Sequence, residues 1–104
     1  MLIVPLRAVP SQKLSILLAN QLCQITLKTR WFGLYMDLSV NDAPIVQGVV
    51  CQNWNRIVRS AYLGFVGDFA FWDTQGSSDP TFDGLGGRYL LYYLEKSDLP
   101  VLRK

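Results

Sequence analysis

Four aspartates gather late in the chain, Asp68, Asp73, Asp79 and Asp83, and they are the first residues whose type and density suggest chemistry. Clustered carboxylates can bind calcium, or can act as acid and base across a glycosidic bond. An EF-hand loop needs oxygens at alternating positions and a glutamate at the twelfth, which this spacing does not supply. A hydrolytic pair must face across a cleft, and no spacing in a sequence establishes that. Asp73 followed by Thr74 and Gly76 fits a local turn in which the carboxylate accepts a backbone N–H. Turn and solvation roles are therefore expected of these aspartates. Gly84-Leu85-Gly86-Gly87-Arg88 is glycine-rich but precedes a strand-like run, whereas a phosphate loop follows a strand and opens a helix. The chain has no histidine, which excludes Ser-His-Asp and Cys-His catalysis and histidine-containing zinc sites. Cys23 and Cys51 are too few for a four-thiolate site and read as buried, inert thiols. No catalytic residue, metal or cofactor is expected, and the chain does not read as an enzyme.

The aromatic residues carry more. Trp31, Phe32, Tyr35, Trp54, Phe69, Phe71, Trp72, Tyr89, Tyr92 and Tyr93 exceed what one face of a small core needs. Leu90, Tyr92 and Leu94 oppose Tyr89, Leu91 and Tyr93 along one run, so both faces of that strand are large and apolar. Something must cover the second face. One candidate is a partner protein anchored on Trp, Tyr and Arg. Another is single-stranded nucleic acid stacked on a small OB-like barrel, with Arg30, Arg56 and Arg59 on the phosphates. A fully enclosed two-layer core is the third. Charge is uneven as well: residues 1–60 carry six cations against two acids, and residues 61–104 carry four against six. Such asymmetry suits a protein whose opposite sides meet different or repeated neighbours, although ordinary scatter of few charges also produces it.

These residues must be positioned by strands. Leu14, Ile16 and Leu18 alternate with Ser15 and Leu17, and after a short polar turn Cys23, Ile25 and Leu27 alternate with Gln24, Thr26 and Lys28. Two such runs joined by a turn containing Asn20 predict a hairpin. Leu34, Met36, Leu38 and Val40 form a third alternating run, ended by the turn residues Asn41-Asp42-Ala43-Pro44. Residues 45–51 continue as a β-rich segment in which Gly48 marks a bulge or a close backbone approach. Residues 62–66 and 68–73 flank Gly67 and predict a second hairpin, and residues 89–94 predict a last strand. Residues 54–61 could form two helical turns, but no stretch shows the dozen residues of 3.6 periodicity that a stable amphipathic helix needs. The expected fold is all-β, a small barrel or sandwich of about six or seven antiparallel strands. The long loop at residues 74–87 is functional or loosely ordered, with Phe82 and Leu85 pinning it to the body.

Length and composition set the frame. The 104 residues form a single expected domain spanning 1–104, and 50% hydrophobic with 17% charged residues argues against disorder. A net charge of +2 announces neither a nucleic-acid nor a membrane partner. Pro5 and Arg7 interrupt the apolar start well short of a signal peptide or a membrane span, so a soluble protein of a reducing cytoplasm is expected.

Several stretches together resemble a known family. They are Ile3-Val4-Pro5-Leu6-x-Ala8-Val9-Pro10-Ser11-Gln12-x-Leu14-Ser15-Ile16, then Leu34-Tyr35-Met36-Asp37-Leu38, then Tyr62-Leu63-Gly64-Phe65-x-Gly67-Asp68. Further on come Phe71-Trp72-Asp73-Thr74-Gln75-Gly76-x-x-Asp79-Pro80-x-Phe82-x-x-Leu85-Gly86-x-Arg88 and Leu91-Tyr92-Tyr93-Leu94. In order and spacing they resemble the baseplate plug family of contractile-tailed bacteriophages over nearly the whole chain, and residues 50–60 match least. The resemblance implies a structural virion protein near the distal end of the tail tube, assembled in the host cytoplasm. It implies several copies per particle, in contact with hub, tail tube or neighbouring baseplate proteins, with neither membrane nor nucleic acid as partner. No catalytic residue comes with the family. The residues expected at a partner interface are Trp31, Phe32, Trp54, Arg56 and Arg59, with Asp79, Pro80 and Phe82 of the long loop.

Overall fold

Alternation of apolar and polar residues is realised as two antiparallel sheets packed face to face. The computed structural model describes residues 2–30, 33–58 and 65–95. Among these, seven strands run in chain order: β1 (Leu2–Val4), β2 (Ser11–Leu18), β3 (Gln21–Arg30), β4 (Gly33–Val40), β5 (Ala43–Val50), β6 (Asp68–Asp73) and β7 (Tyr89–Leu94). One sheet has the order β2-β3-β4-β5 and the other the order β1-β7-β6. The architecture is a sandwich; the expected alternative, a closed barrel, does not form. No helix among the described residues is long and apolar enough to cross a membrane.

The four-stranded sheet is a meander built by tight turns. Leu18 pairs with Gln21 and Val40 with Ala43, leaving two-residue loops at Ala19-Asn20 and Asn41-Asp42. All four loop residues have positive φ, between 50° and 68°. Turns of that hand match the right-handed twist of the strands they join. Asn and Asp tolerate the conformation, whereas Ala19 adopts it against its own preference. The register of β4 with β5 shifts between Met36 and Leu38. There Gly48, at φ 64°, turns its N–H onto Asp37 Oδ1 at 2.7 Å. The glycine thus marks a bulge, as its position in the run predicts.

The core lies between the sheets. Cys23, Ile25 and Leu27 of β3 and Leu34, Met36, Leu38 and Val40 of β4 face Val4, Phe69, Phe71, Tyr89, Leu91 and Tyr93 of the other sheet in one buried cluster. Phe65, Phe69 and Tyr93 form its aromatic end, with ring centroids 5.5–6.1 Å apart. Gln21 joins the layers by main-chain mimicry: its Oε1 accepts the Val66 N–H at 3.0 Å and its Nε2 donates to the Val66 carbonyl at 3.1 Å. The hydroxyl of Tyr93 donates to the same carbonyl.

Two expectations change. β6 pairs with β7 rather than with a strand preceding Gly67. Its other edge is occupied by residues 53–57, because the Trp54 N–H donates to the Phe71 carbonyl (2.7 Å) and the Ile57 N–H to that of Phe69 (2.9 Å). Residues 62–64 of the expected partner lie outside the described residues. Residues 54–58 form a strap of turn and bend rather than helical turns, and residues 59–61 of that expected segment lie outside the described residues. Backbone partners on β6 outweigh the weak helical preference of so short a segment.

Candidate interaction surface

A sandwich normally presents a polar outer face, and the four-stranded sheet largely does so, with Ser15, Gln24, Thr26, Lys28 and Ser39 turned outward. The three-stranded sheet differs. Ile3, Ala70, Trp72, Leu90, Tyr92 and Leu94 lie at its outward positions, given the pairing of Ile3 and Ala70 with Tyr92 and of Trp72 with Leu90. Ala70 and Leu94 are buried there in a second, smaller apolar cluster against which Trp54 and Tyr92 pack. Three rings form the centre. Trp54 lies 5.8 Å from Trp72 and 6.2 Å from Tyr92, and Trp72 lies 5.9 Å from Tyr92, centroid to centroid. These separations and tilted or edge-on geometries are those in which aromatic quadrupoles attract. Trp72 nevertheless remains 43% exposed and Ile3 55% exposed.

The strap at residues 53–58 delivers Trp54 to this face and is held by polar groups. Asp68 Oδ1 accepts three backbone N–H groups, from Ile57 (3.1 Å), Val58 (2.7 Å) and Phe69 (2.7 Å). Arg56 Nε stands 3.6 Å from the other carboxylate oxygen. Asn53 Oδ1 accepts the Asp73 N–H at 2.9 Å, and the Asn53 N–H donates to Asp79 Oδ1 at 2.9 Å. Trp54 itself sits at φ 61°, a left-handed conformation costly for a residue with a bulky side chain. Such strain persists only where the surroundings over-determine it. Here its N–H bond to Phe71 and its two ring neighbours do so.

The long loop is organised at its base. Arg88 grips Asp73 with two parallel bonds, Nε to Oδ1 and Nη2 to Oδ2, each 2.9 Å. The same carboxylate accepts the Gln75 and Ser78 N–H groups, both at 2.9 Å. Thr74 closes the ring, donating its N–H and its hydroxyl to the Arg88 carbonyl. The Arg88 guanidinium, then these N–H groups, hold the Asp73 carboxyl well below the usual aspartate range against the opposing effect of burial. Beyond this buckle, Pro80 and Leu85 are buried and Phe82 packs half-buried on the core. A 3₁₀ turn at Phe82–Gly84 completes the loop.

The structure therefore puts Trp54 within the aromatic cluster, Arg56 two residues further along the strap against Asp68, and Asp79 on the Asn53 N–H. Pro80 and Phe82 serve to seat the loop. Trp31, Phe32 and Arg59 lie outside the described residues. Trp72, Tyr92 and Ile3 complete the surface and were not among the residues expected there. Their signal was present in the sequence, since β7 carries large residues on both faces and Trp72 alternates with buried Phe71. Leu17 and Leu22, paired across β2 and β3, add a smaller exposed apolar spot on the other sheet.

The four late aspartates are engaged in local bonds. Asp68 and Asp73 have their oxygens committed to backbone donors and arginines, Asp79 caps Asn53, and Asp83 accepts the Thr81 hydroxyl. Among the described residues no three His, Cys, Asp or Glu side chains converge to hold a metal. Burial pushes the Cys23 thiol up to about 11 and raises Cys51 further, so neither is a ready nucleophile.

Compared with known families, residues 1–96 match the model described as cyanophage baseplate Pam3 plug gp18. No curated protein matches the chain.

Proposed function

The chain belongs to the phage baseplate plug family, and from that premise we propose that it is a structural component of the tail baseplate near the tube tip. Contacts with hub, tail tube or neighbouring baseplate proteins hold it there, several copies to a particle, after assembly in the host cytoplasm. The observation that carries the reading is the Trp54–Trp72–Tyr92 cluster on the outer face of the three-stranded sheet, with Trp72 exposed and the other two rings half-buried. Tryptophan and tyrosine beside an arginine are the residue types that dominate protein–protein binding energy. The surface comprises Trp54, Trp72, Tyr92 and Ile3, rimmed by Arg56 and Asp79. Trp31, Phe32 and Arg59 are proposed as further contacts on the strength of the sequence alone.

The role is mechanical. A plug must keep its shape under load, and the saturated polar groups of the strap and the loop base supply rigidity without reactive chemistry. Single-stranded nucleic acid on the same rings is less well supported. Stacking surfaces of that kind are lined by cations that follow the phosphates, and here Arg56 is engaged by Asp68.

Substituting Trp72 by alanine tests the proposal, because its exposed ring can be removed without opening the core. Phage carrying Trp72→Ala in the plug should fail to incorporate it, while the purified variant melts within a few degrees of wild type. An anchor tryptophan contributes about 2 kcal/mol or more, roughly a thirtyfold loss of affinity. Normal particle assembly by Trp72→Ala and by a Trp54→Ala/Arg56→Ala double variant would refute the assignment.

A further inference from the structure

The four-stranded sheet has two edges, and they differ. β5 carries Pro44 and the bulge at Gly48, both devices that spoil an edge for pairing. β2 has neither: its eight residues pair with β3 without interruption from Ser11–Lys28 to Leu18–Gln21. The hydrogen-bonding phase of that ladder follows from one contact. Thr29 donates its N–H to the Pro10 carbonyl at 3.0 Å, so bonded pairs recur at every second residue, at positions 12, 14, 16 and 18. The N–H and carbonyl groups of Ser11, Lys13, Ser15 and Leu17 therefore point away from the sheet. All four residues are exposed, and no backbone bond among the described residues takes those groups.

Alongside this edge runs a groove of about 710 Å³ between β2 and the segment that follows β1. Its floor is apolar, with Leu6, Leu14 and Ile16 half-buried against the core. Its far wall is braced by Gln12, whose amide exchanges two hydrogen bonds with the Arg7 backbone, 2.7 and 3.1 Å. Arg7 and Lys13 both line it, and neither has an ion-pair partner among the described residues.

We infer that β2 accepts an added strand from a neighbouring protein: an extended segment with apolar side chains toward Leu14 and Ile16 and acidic ones toward Arg7 and Lys13. Main-chain bonds to Ser11, Lys13, Ser15 and Leu17 would supply affinity, and the groove and the cations would supply register and selectivity. Charge decides against two other occupants. The chain's own residues 96–104 carry Lys96, Arg103 and Lys104 against Asp98, the wrong sign for this groove. A second copy joined β2 to β2 would bring the same two cations to one seam. The site is separate from the aromatic face, so the failure of either proposal leaves the other standing.

The experiment uses the full chain and two blocked octapeptides, one alternating valine with glutamate and one alternating valine with lysine. Amide hydrogen exchange at Lys13, Ser15 and Leu17 should slow several-fold with the acidic peptide at about 1 mM. The basic peptide should bind about five- to tenfold more weakly, the effect of two exposed ion pairs. Ser15→Pro removes one outward N–H and no ladder bond, and should abolish the protection while the protein stays folded. Arg7→Glu/Lys13→Glu should reverse the peptide preference, a readout that does not depend on the proline variant folding. Unchanged exchange with both peptides, or equal protection by the two, would overturn the inference. So would protection that rises with protein concentration in the absence of peptide, which would identify a second copy.

Discussion

Asp68 offers the sharpest test of how the aromatic face is held in place. Its Oδ1 is the acceptor for the Ile57, Val58 and Phe69 N–H groups. Replacing it with alanine does not orphan all three, because the Ile57 N–H also bonds the Phe69 carbonyl at 2.9 Å. The N–H groups of Val58 and Phe69 lose the acceptor, both in buried residues. A buried donor left unsatisfied costs about 1–3 kcal/mol, so Asp68→Ala should destabilise by about 2–6 kcal/mol. Set against a total of about 5–15 kcal/mol for a small domain, that is a large share, and at about 4–8 °C per kcal/mol it lowers Tm by about 8 °C or more. Asp68→Asn keeps an oxygen where the carboxylate accepted. Among its described partners it weakens the attraction to Arg56, which at 3.6 Å and part-exposed is worth about 1 kcal/mol or less. Urea unfolding followed by tryptophan fluorescence measures both variants, since Trp54 rides on the same strap. Equal losses for Asp68→Ala and Asp68→Asn, or a loss below about 1 kcal/mol for alanine, would show that hydrogen-bond acceptance by this carboxylate does not hold the strap.

Further outcomes follow from other contacts. The Asp73 carboxyl is held below its ordinary range in the folded chain, so its contribution is present above about pH 4, the unfolded value, and is lost as pH falls below it. Tm should therefore decline toward pH 3, and Asp73→Asn should start lower at pH 7 and flatten that decline; parallel curves would contradict the sign. Gly86 has φ 81°, and a Cβ there would meet the Leu6 carbonyl oxygen at 2.6 Å, so Gly86→Ala should cost about 2 kcal/mol or more in a chemical melt. Cys23 and Cys51 should react with a thiol reagent at pH 8 only at the rate of unfolding, because both are buried and their thiols titrate high. Prompt labelling of either in native protein would refute this.

Two tight turns of the larger sheet were legible because their signals are local. Period-2 runs interrupted by Asn20 and by Asn41-Asp42 specify two hairpins, since a two-residue turn sets register by itself. Gly48 announced its bulge for the same reason. The glycine-rich loop could be read as pinned through Phe82 and Leu85, but its buckle could not. Asp73 and Arg88 are fifteen residues apart, and only the pairing of β6 with β7 sets them side by side. Composition excluded histidine-based catalysis, and the turn role expected of Asp73 is visible in the Gln75 and Ser78 N–H groups that its carboxylate accepts.

What the sequence determined by itself is an all-β chain with more large apolar residues than one core can hold and no histidine to do chemistry. Which residues form the second apolar surface was decided by tertiary structure. Trp54, Trp72 and Tyr92 come from a strap and two strands, and no periodicity relates a residue on the strap to either strand. The partner of β6 was decided in the same way. Two candidates competed for that edge, and residues 53–57 hold it because Asp68, Asn53 and the Phe69 and Phe71 carbonyls together satisfy the strap's backbone. Turns are short-range and are written in neighbouring residues. Edge pairing and ring clustering depend on groups distant in sequence, whose meeting is settled only when the two layers pack.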